Sequence, residues 1–169
     1  QGGTAKVDLA VFKGQRAYGW GYTRLLEDGY NYDIISNPHL KLPTVTVQNG
    51  VLCPDGPGYR ALLVVEQEML PIDSATILLS LAKDGLSILF VGKLPHLANG
   101  ANSDDAAAAK LVNAMLELPN VYHVADLDSV PALLRSIHIL PLCGYHQPGL
   151  EPACRQDDSV TCYFVYNGK

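Results

Sequence analysis

Ser87-Ile-Leu-Phe-Val-Gly92-Lys93-Leu94-Pro95 is the stretch whose reading decides the fold. The apolar run from Leu86 to Val91 ends in a glycine and leads through a loop towards a helical segment. A strand that is apolar at almost every position is one covered on both faces, as in a parallel sheet flanked by helices. The tip after such a strand is a place where an α/β enzyme presents a nucleophile. Here the tip carries Lys93, Leu94 and Pro95, and none of them supplies an acyl-forming thiolate or alkoxide. The chain has the framework of an enzyme fold without the residue that would run it. Its first reading is a non-catalytic α/β module.

Working outward, strands and helices alternate. Lys6–Phe12 reads as a first strand, and Gly14–Gly21 is too rich in glycine for regular structure. Thr23–Gly29 is a short helix stopped by Gly29, Tyr32–Ser36 a strand, and Pro38–Leu42 a helical turn. Val45–Val47 and Val51–Cys53 flank Asn49-Gly50, the strongest short-range hairpin signal. Ala61–Val65 is a strand, and Ile72–Asp84 a helix with apolar residues at Ile72, Ala75, Leu78, Leu79 and Ala82. Ser103-Asp-Asp caps an alanine-rich helix that runs to Leu118 and stops at Pro119. Asn120–Val124 reads as a strand and Ser129–Ser136 as a helix with proline in its first turn. Pro141–Asp158 reads as irregular, and Ser159–Tyr166 as a last strand.

This alternation predicts one domain, 1–169, with a central, mainly parallel sheet of about five to six strands between two helical layers, a three-layer α/β/α sandwich. The 169 residues suffice for one well-packed core. The chain starts at Gln1-Gly-Gly without a signal peptide and stops at Asn167-Gly-Lys169 without a closing element. It reads as a fragment of a larger chain.

Bulk properties exclude some functions. The charged fraction is only 17% and the net charge −5, with no lysine or arginine cluster, whereas nucleic-acid binding needs a basic stripe. The longest uncharged apolar run, Leu86–Gly92, falls far below the roughly 18 residues that span a bilayer. Neither nucleic acid nor membrane is an expected partner. The low charge instead suits a domain that buries surface against its neighbours.

Cys53, Cys143, Cys154 and Cys162 have no CxxC spacing, and no histidine falls at a zinc-site interval from them. An even count, with three cysteines in the loop-rich C-terminal stretch, predicts disulfides and a secreted, extracellular protein. Cys143 with Cys154 is the preferred pair, closing the loop Gly144–Gly149 and contributing roughly 2–3 kcal/mol. Cys53 with Cys162 would be a second. The alternative is four buried free thiols.

Lys93 and His96 lie beyond the carboxyl end of a strand, where ligands bind in open α/β sheets, and could serve a divergent hydrolase. A lysine and a histidine in a surface loop is the plainer reading, since no acidic or nucleophilic residue is near in sequence. A Cys-His-Glu triad would need a late His-x-Glu pair, but His146 and Glu151 are five residues apart. Gly19-Trp20-Gly21 lacks the third glycine of a dinucleotide fingerprint, position 24 being arginine, so no cofactor is expected. Asp104-Asp105 reads as a helix cap, and Asp157-Asp158 as a solvated turn that falls short of the oxygens calcium requires. Tyr18, Trp20, Tyr22, Tyr30 and Tyr32 could form a sugar-stacking platform or a contact with a partner domain.

Gly29-Tyr-Asn-Tyr-Asp33-Ile-Ile, Val47-Gln-Asn-Gly50-Val-Leu, Tyr59-Arg-Ala-Leu-Leu-Val, the Pro71 helix, Ile88-Leu-Phe-Val-Gly92, Leu118-Pro-Asn-Val121 and Arg155 before Tyr163-Phe-Val-Tyr-Asn167 run in order. Together they resemble the amidotransferase-like accessory domain inside large secreted glycoside hydrolases similar to the α-L-rhamnosidases of glycoside hydrolase family 106. The chain is more remotely similar to the trimerisation domain of some β-galactosidases. The resemblance spans roughly Lys6 to Asn167 and implies a fold of the class I glutamine amidotransferase-like, flavodoxin-like kind. It also implies a scaffold role beside a separate catalytic (β/α)₈ barrel. No catalytic, cofactor or metal residue carries over to these positions. The expected partners are other domains of the parent chain, with carbohydrate the alternative in which the Tyr18–Tyr32 aromatics bind sugar. The four cysteines and Gly14–Gly21 depart from the family pattern.

Overall fold

The computed structural model describes residues 3–13, 22–98, 104–143, 150–157 and 159–167. Its centre is a five-stranded parallel sheet made of β2 (Leu9–Phe12), β3 (Tyr32–Ile35), β6 (Ala61–Val65), β7 (Ser87–Val91) and β8 (Val121–Val124), in the order β3-β2-β6-β7-β8. The mixed α/β architecture and the parallel sheet expected from the alternation are both present.

Side-chain alternation divides the apolar strands between two cores. Phe12, Leu62, Val64, Ile88 and Phe90 face α2 (Asn37–Leu40), α3 (Ile72–Lys83) and α4 (Asp105–Leu116). Leu9, Val11, Leu63, Leu89 and Val91 face α1 (Thr23–Glu27), Tyr30 and α5 (Val130–Ser136). Residues 61–65 and 88–91 are buried throughout, which is why these strands read as unbroken apolar runs. Asp104 caps α4 by accepting from the Ala107 N–H at 2.9 Å, as the sequence implied. The hairpin of β4 (Val47–Gln48) and β5 (Val51–Leu52) turns on Asn49 and Gly50 at φ 52° and 76°, the positive angles an Asn-Gly turn provides.

The two chain ends differ from the sequence reading. The expected first strand breaks at Asp8. Thr4–Lys6 is β1 and belongs to a second sheet, three-stranded and antiparallel, in the order β1-β9-β10. Its β9 (Leu150–Gln156) lies within the stretch read as irregular, and β10 (Thr161–Asn167) pairs with β9 instead of extending the parallel sheet.

Asp8 breaks the first strand because it pins the amino edge of the sheet. Its fully buried carboxylate accepts from Arg60 Nη2, from the Leu142 N–H at 2.8 Å and from the Asn31 N–H at 3.1 Å. Asn31 Oδ1 in turn accepts from the Asp8 N–H at 2.7 Å. Burial raises the Asp8 pKa above its ordinary value, against the opposing pull of Leu142, Asn31 and Arg60. This polar knot is structural, and it lies at the end of the sheet opposite the strand tips.

All four cysteines are free, so the disulfide expectation is corrected. Cys154 sits mid-strand in β9, held between Lys6 on one side and Tyr163 on the other. Cys162 pairs in register with Arg155, so alternation points Cys154 and Cys162 to opposite faces. Cys53 lies in the turn after β5 at φ 50°, against the larger core, whereas Cys162 is exposed on the outer strand. Gly144–Gly149, the loop a Cys143–Cys154 bridge would have closed, lies outside the described residues. With the crosslinks goes the main sequence argument for secretion. Among the described residues no helix is long and apolar enough to cross a membrane.

Candidate functional site

In a sheet of this order the chain leaves β2 in one direction for β3 and in the other for β6. Open α/β sheets bind ligands beyond the carboxyl ends of the strands at such a reversal. The loop after β2, with Gly14–Gly21, Tyr18 and Trp20, lies outside the described residues. The site is therefore built from the tips of β6, β7 and β8.

At the tip of the central strand β6, Glu66 takes φ 49°, a left-handed angle that disfavours residues with a Cβ. Its N–H donates to Val91 O at 2.9 Å, which holds the turn against β7. Its carboxylate is exposed and rests over Gly92. A Cβ built on Gly92 would overlap that carboxylate, and even the farther oxygen would lie only 2.9 Å away. Gly92 itself sits at φ 75°, so its backbone calls for glycine. The Gly92 N–H donates to Val124 O at 2.9 Å, and Gly92 O lies 2.7 Å from His123 Nε2. A carbonyl can only accept, so that contact places the His123 proton on Nε2.

The sequence reading put the pivotal turn at Gly92 and Lys93. The structure shows a left-handed, non-glycine residue one strand earlier, at Glu66. Non-glycine strain of this kind collects at ligand clamps and active sites. A positive φ on glutamate has no signature in sequence. What could have pointed there is the abrupt Glu66-Gln67-Glu68 after five apolar residues.

Around this tip the other side chains are committed. Gln67 is buried, and its Nε2 donates to Val65 O at 2.8 Å. Glu68 O accepts from the N–H groups of His96 and Leu97, each at 3.1 Å. The Glu68 carboxylate takes a 2.9 Å bond from Lys93 Nζ. That bond, and then the charge behind it, hold the Glu68 carboxyl below its ordinary value and the Lys93 ammonium above its own. His96 Nδ1 lies 3.3 Å from Leu94 O. Lys93 and His96 thus meet on Glu68, one through its carboxylate and the other through its backbone carbonyl. A nucleophilic lysine needs its pKa depressed, and Lys93 is shifted the other way.

Of the five aromatics, Tyr18 and Trp20 lie outside the described residues, and the other three are packed or hydrogen-bonded within the domain. Tyr30 is fully buried and donates to Ile139 O at 2.7 Å, so it belongs to the core. Tyr22 and Tyr32 stand edge to face with centroids 5.5 Å apart, and Tyr32 Oη accepts from the Tyr22 N–H at 2.9 Å. Both pack against the second core. Asp157 Oδ1 accepts from the N–H groups of Ser159 and Val160, at 2.9 and 2.8 Å, and shapes the β9–β10 turn. Asp158 and His146 lie outside the described residues, and Glu151 is in β9, in the other sheet. Among the described residues no three histidine, cysteine, aspartate or glutamate side chains gather as a metal site would require.

No protein-family profile matches the chain, and no curated protein matches it. Among solved structures, a rhamnosidase from Novosphingobium sp. PP1Y superposes with a TM-score of 0.67 at 19% identity. The match covers 98% of this chain and 17% of that one, so this chain spans about a sixth of the rhamnosidase's length. At that identity the likeness is one of fold.

Proposed function

We propose that this chain is a non-catalytic accessory domain of a carbohydrate-active enzyme, a glycoside hydrolase of the α-L-rhamnosidase-like kind. In this reading the fold is a three-layer α/β/α sandwich of the class I glutamine amidotransferase-like, flavodoxin-like type, to which the strand order β3-β2-β6-β7-β8 conforms. On the same reading the tip of β7 corresponds to the place where an amidotransferase carries its thiolate, and Gly92-Lys93-Leu94-Pro95 stands there.

The observation that carries the proposal is the state of the carboxylates at the adjacent tip of β6, where Glu66 stands. Cleaving a glycosidic bond takes two carboxyl groups, one held protonated as the acid and one ionised. Glu68, the other carboxylate on this turn, is paired with Lys93 and pushed towards ionisation. Asp8, whose pKa is raised, is locked at the opposite edge by Arg60, Asn31 and Leu142. Amide hydrolysis of the amidotransferase kind needs a thiolate, and β7 leads into Gly92, Lys93 and Leu94. The similarity in fold to a stretch of a rhamnosidase supports the choice of enzyme class.

The isolated chain, assayed with glutamine and with aryl α-L-rhamnosides, is expected to give no rate above buffer. Calorimetry with plant-wall oligosaccharides is expected to give no saturable heat. Turnover that Glu66→Gln or Lys93→Ala abolishes would overturn the proposal in favour of a hydrolase. Saturable heat would replace it with a sugar-binding module.

A further inference from the structure

We propose that His39 is a pH-sensitive latch: neutral, it holds the one-turn helix α2 over an apolar cavity, and protonated, it releases that turn. The proposal does not depend on the accessory-domain reading.

α2 is too short to stand on its own ladder. Pro38 has no N–H, and the bonds from the Leu40, Lys41 and Leu42 N–H groups to Ser36 O, Pro38 O and His39 O are each 3.2 Å long. Side chains hold the turn instead. Leu40 is buried in the larger core, Ser74 Oγ of α3 donates to Asn37 Oδ1 at 3.0 Å, and Lys41 pairs with Asp73 of α3. At the start of the turn the Ser36 N–H donates to His39 Nδ1 at 3.1 Å, and Ser36 Oγ lies 3.0 Å from the same nitrogen. His39 thus fills the third helical position, where a capping box ordinarily carries glutamate or glutamine. The same turn walls a cavity of about 120 Å³, lined by Ile35, Leu40, Val45, Leu52 and Tyr59 together with His39.

Histidine makes this cap conditional. A backbone N–H can only donate, so the bond from Ser36 needs a lone pair on Nδ1, which places the neutral ring's proton on Nε2. In the imidazolium both ring nitrogens are donors. The Ser36 hydroxyl can turn to accept from a protonated Nδ1. The Ser36 N–H cannot, and it is left facing a second donor. Histidine is also the side chain whose ordinary charge change falls between about pH 5 and 8.

The groups packed around the turn keep their state over that range. The bond from Lys41 holds the Asp73 carboxyl below its ordinary value, so that pair persists. Burial raises the Cys53 thiol and the Tyr59 hydroxyl, which line the same cavity, so both stay neutral. The Tyr59 hydroxyl is committed to Asp33 Oδ2 at 2.8 Å. Acidification therefore cuts one tie of α2 and leaves the others in place.

Native-state hydrogen exchange of the Leu40, Lys41 and Leu42 amides, corrected for intrinsic rate and compared between about pH 7.5 and pH 5, tests the proposal. The opening of α2 is expected to grow roughly fivefold on acidification, the size of a lost helix cap. Amides of β6 record any change in global stability over the same range. His39→Gln keeps a capping-box acceptor that does not titrate, and it is expected to hold α2 closed at both pH values. His39→Ala removes the acceptor, and it is expected to give the acid level of opening at both. The His39 side chain is exposed and belongs to neither core, so both variants are expected to fold. A wild-type opening that is flat with pH overturns the proposal. So does a rise that His39→Gln retains, because it would belong to another group.

Discussion

The Glu66 carboxylate occupies the space in which a side chain on Gly92 would begin. Two adjacent strand tips are thereby fitted to each other, both in left-handed backbone, and the fit leaves a carboxylate exposed at the reversal of the sheet. The arrangement gives separable consequences for strain and for space.

Gly92→Ala is expected to lower stability by about 1–2 kcal/mol, measured by urea unfolding, because alanine resists a positive φ. The overlap with Glu66 adds little, since the carboxylate ends a flexible exposed side chain and can swing away. The Glu66→Ala background should therefore restore only a small part of the loss. Full restoration would show that space, and not φ, dominates at this turn.

Glu66→Gly removes the same kind of strain from the other side of the fit. It is expected to raise stability by up to about 1 kcal/mol, because glycine accepts φ 49° without the Cβ conflict. A raised urea midpoint with an unchanged slope is the signature. A loss would mean that the Glu66 side chain contributes more than its backbone costs.

At the opposite edge, Asp8→Ala leaves the Arg60 guanidinium without its buried partner. Breaking a buried pair costs about 3–5 kcal/mol. Arg60 is 27% exposed, which places the expected loss near the lower end of that range. The pH dependence carries its own sign. The folded pKa of Asp8 lies above the ordinary 3.8, so the native state binds this proton more tightly than the unfolded chain does. The contribution of Asp8 is then most favourable below pH 3.8 and falls as pH rises through the raised value. Glu68 runs the other way: its folded pKa is lowered, so its contribution is present above the ordinary 4.5 and is lost as pH falls through the folded value. Comparing wild type with Asp8→Asn across this window should show a stability difference that shifts against the wild type as pH rises. A flat difference would mean that burial and hydrogen bonding at Asp8 cancel.

The cysteines give a chemical test. Alkylation of the denatured chain without reductant is expected to label four thiols. In the native chain Cys162, exposed on β10, should react first. Cys154, which is 5% exposed and has a thiol pKa raised chiefly by burial, should react more slowly. Fewer than four labels in the denatured chain would restore the crosslinks.

Much of this architecture was legible because periodicity and burial coincide. β6 and β7 are apolar at nearly every residue, and α3 and α4 bury helically spaced stripes, so their alternation declared the parallel sheet. β9 was illegible because Leu150-Glu-Pro-Ala-Cys-Arg-Gln156 holds Pro152 and two charges, and proline argues against a paired strand. The structure accommodates it because β1 reaches only Cys154–Gln156, so Pro152 has a partner strand on one side alone, opposite Val165. The break at Asp8 did leave a trace, a carboxylate inside an apolar run, whose meaning rests on Arg60 far along the chain. At the candidate site Gly92 announced itself and Glu66 did not. Glycine advertises its freedom by residue type, while a strained glutamate is visible only in the backbone.

The small sheet also orders events in time. Thr4 pairs with Gln156, and Asp8 accepts from Leu142 across 134 residues, so both contacts join the two ends of the chain. Closing a loop that long from an open coil wins little enthalpy for its entropy, whereas the β2-β6-β7 ladder assembles through nearer neighbours. Once that ladder stands, the same ends are already close and the clasp of β1 on β9 shuts at little further cost. The antiparallel sheet is thus expected to form last and open first, with amide protons of β1 and β9 exchanging before those of β6 and β7.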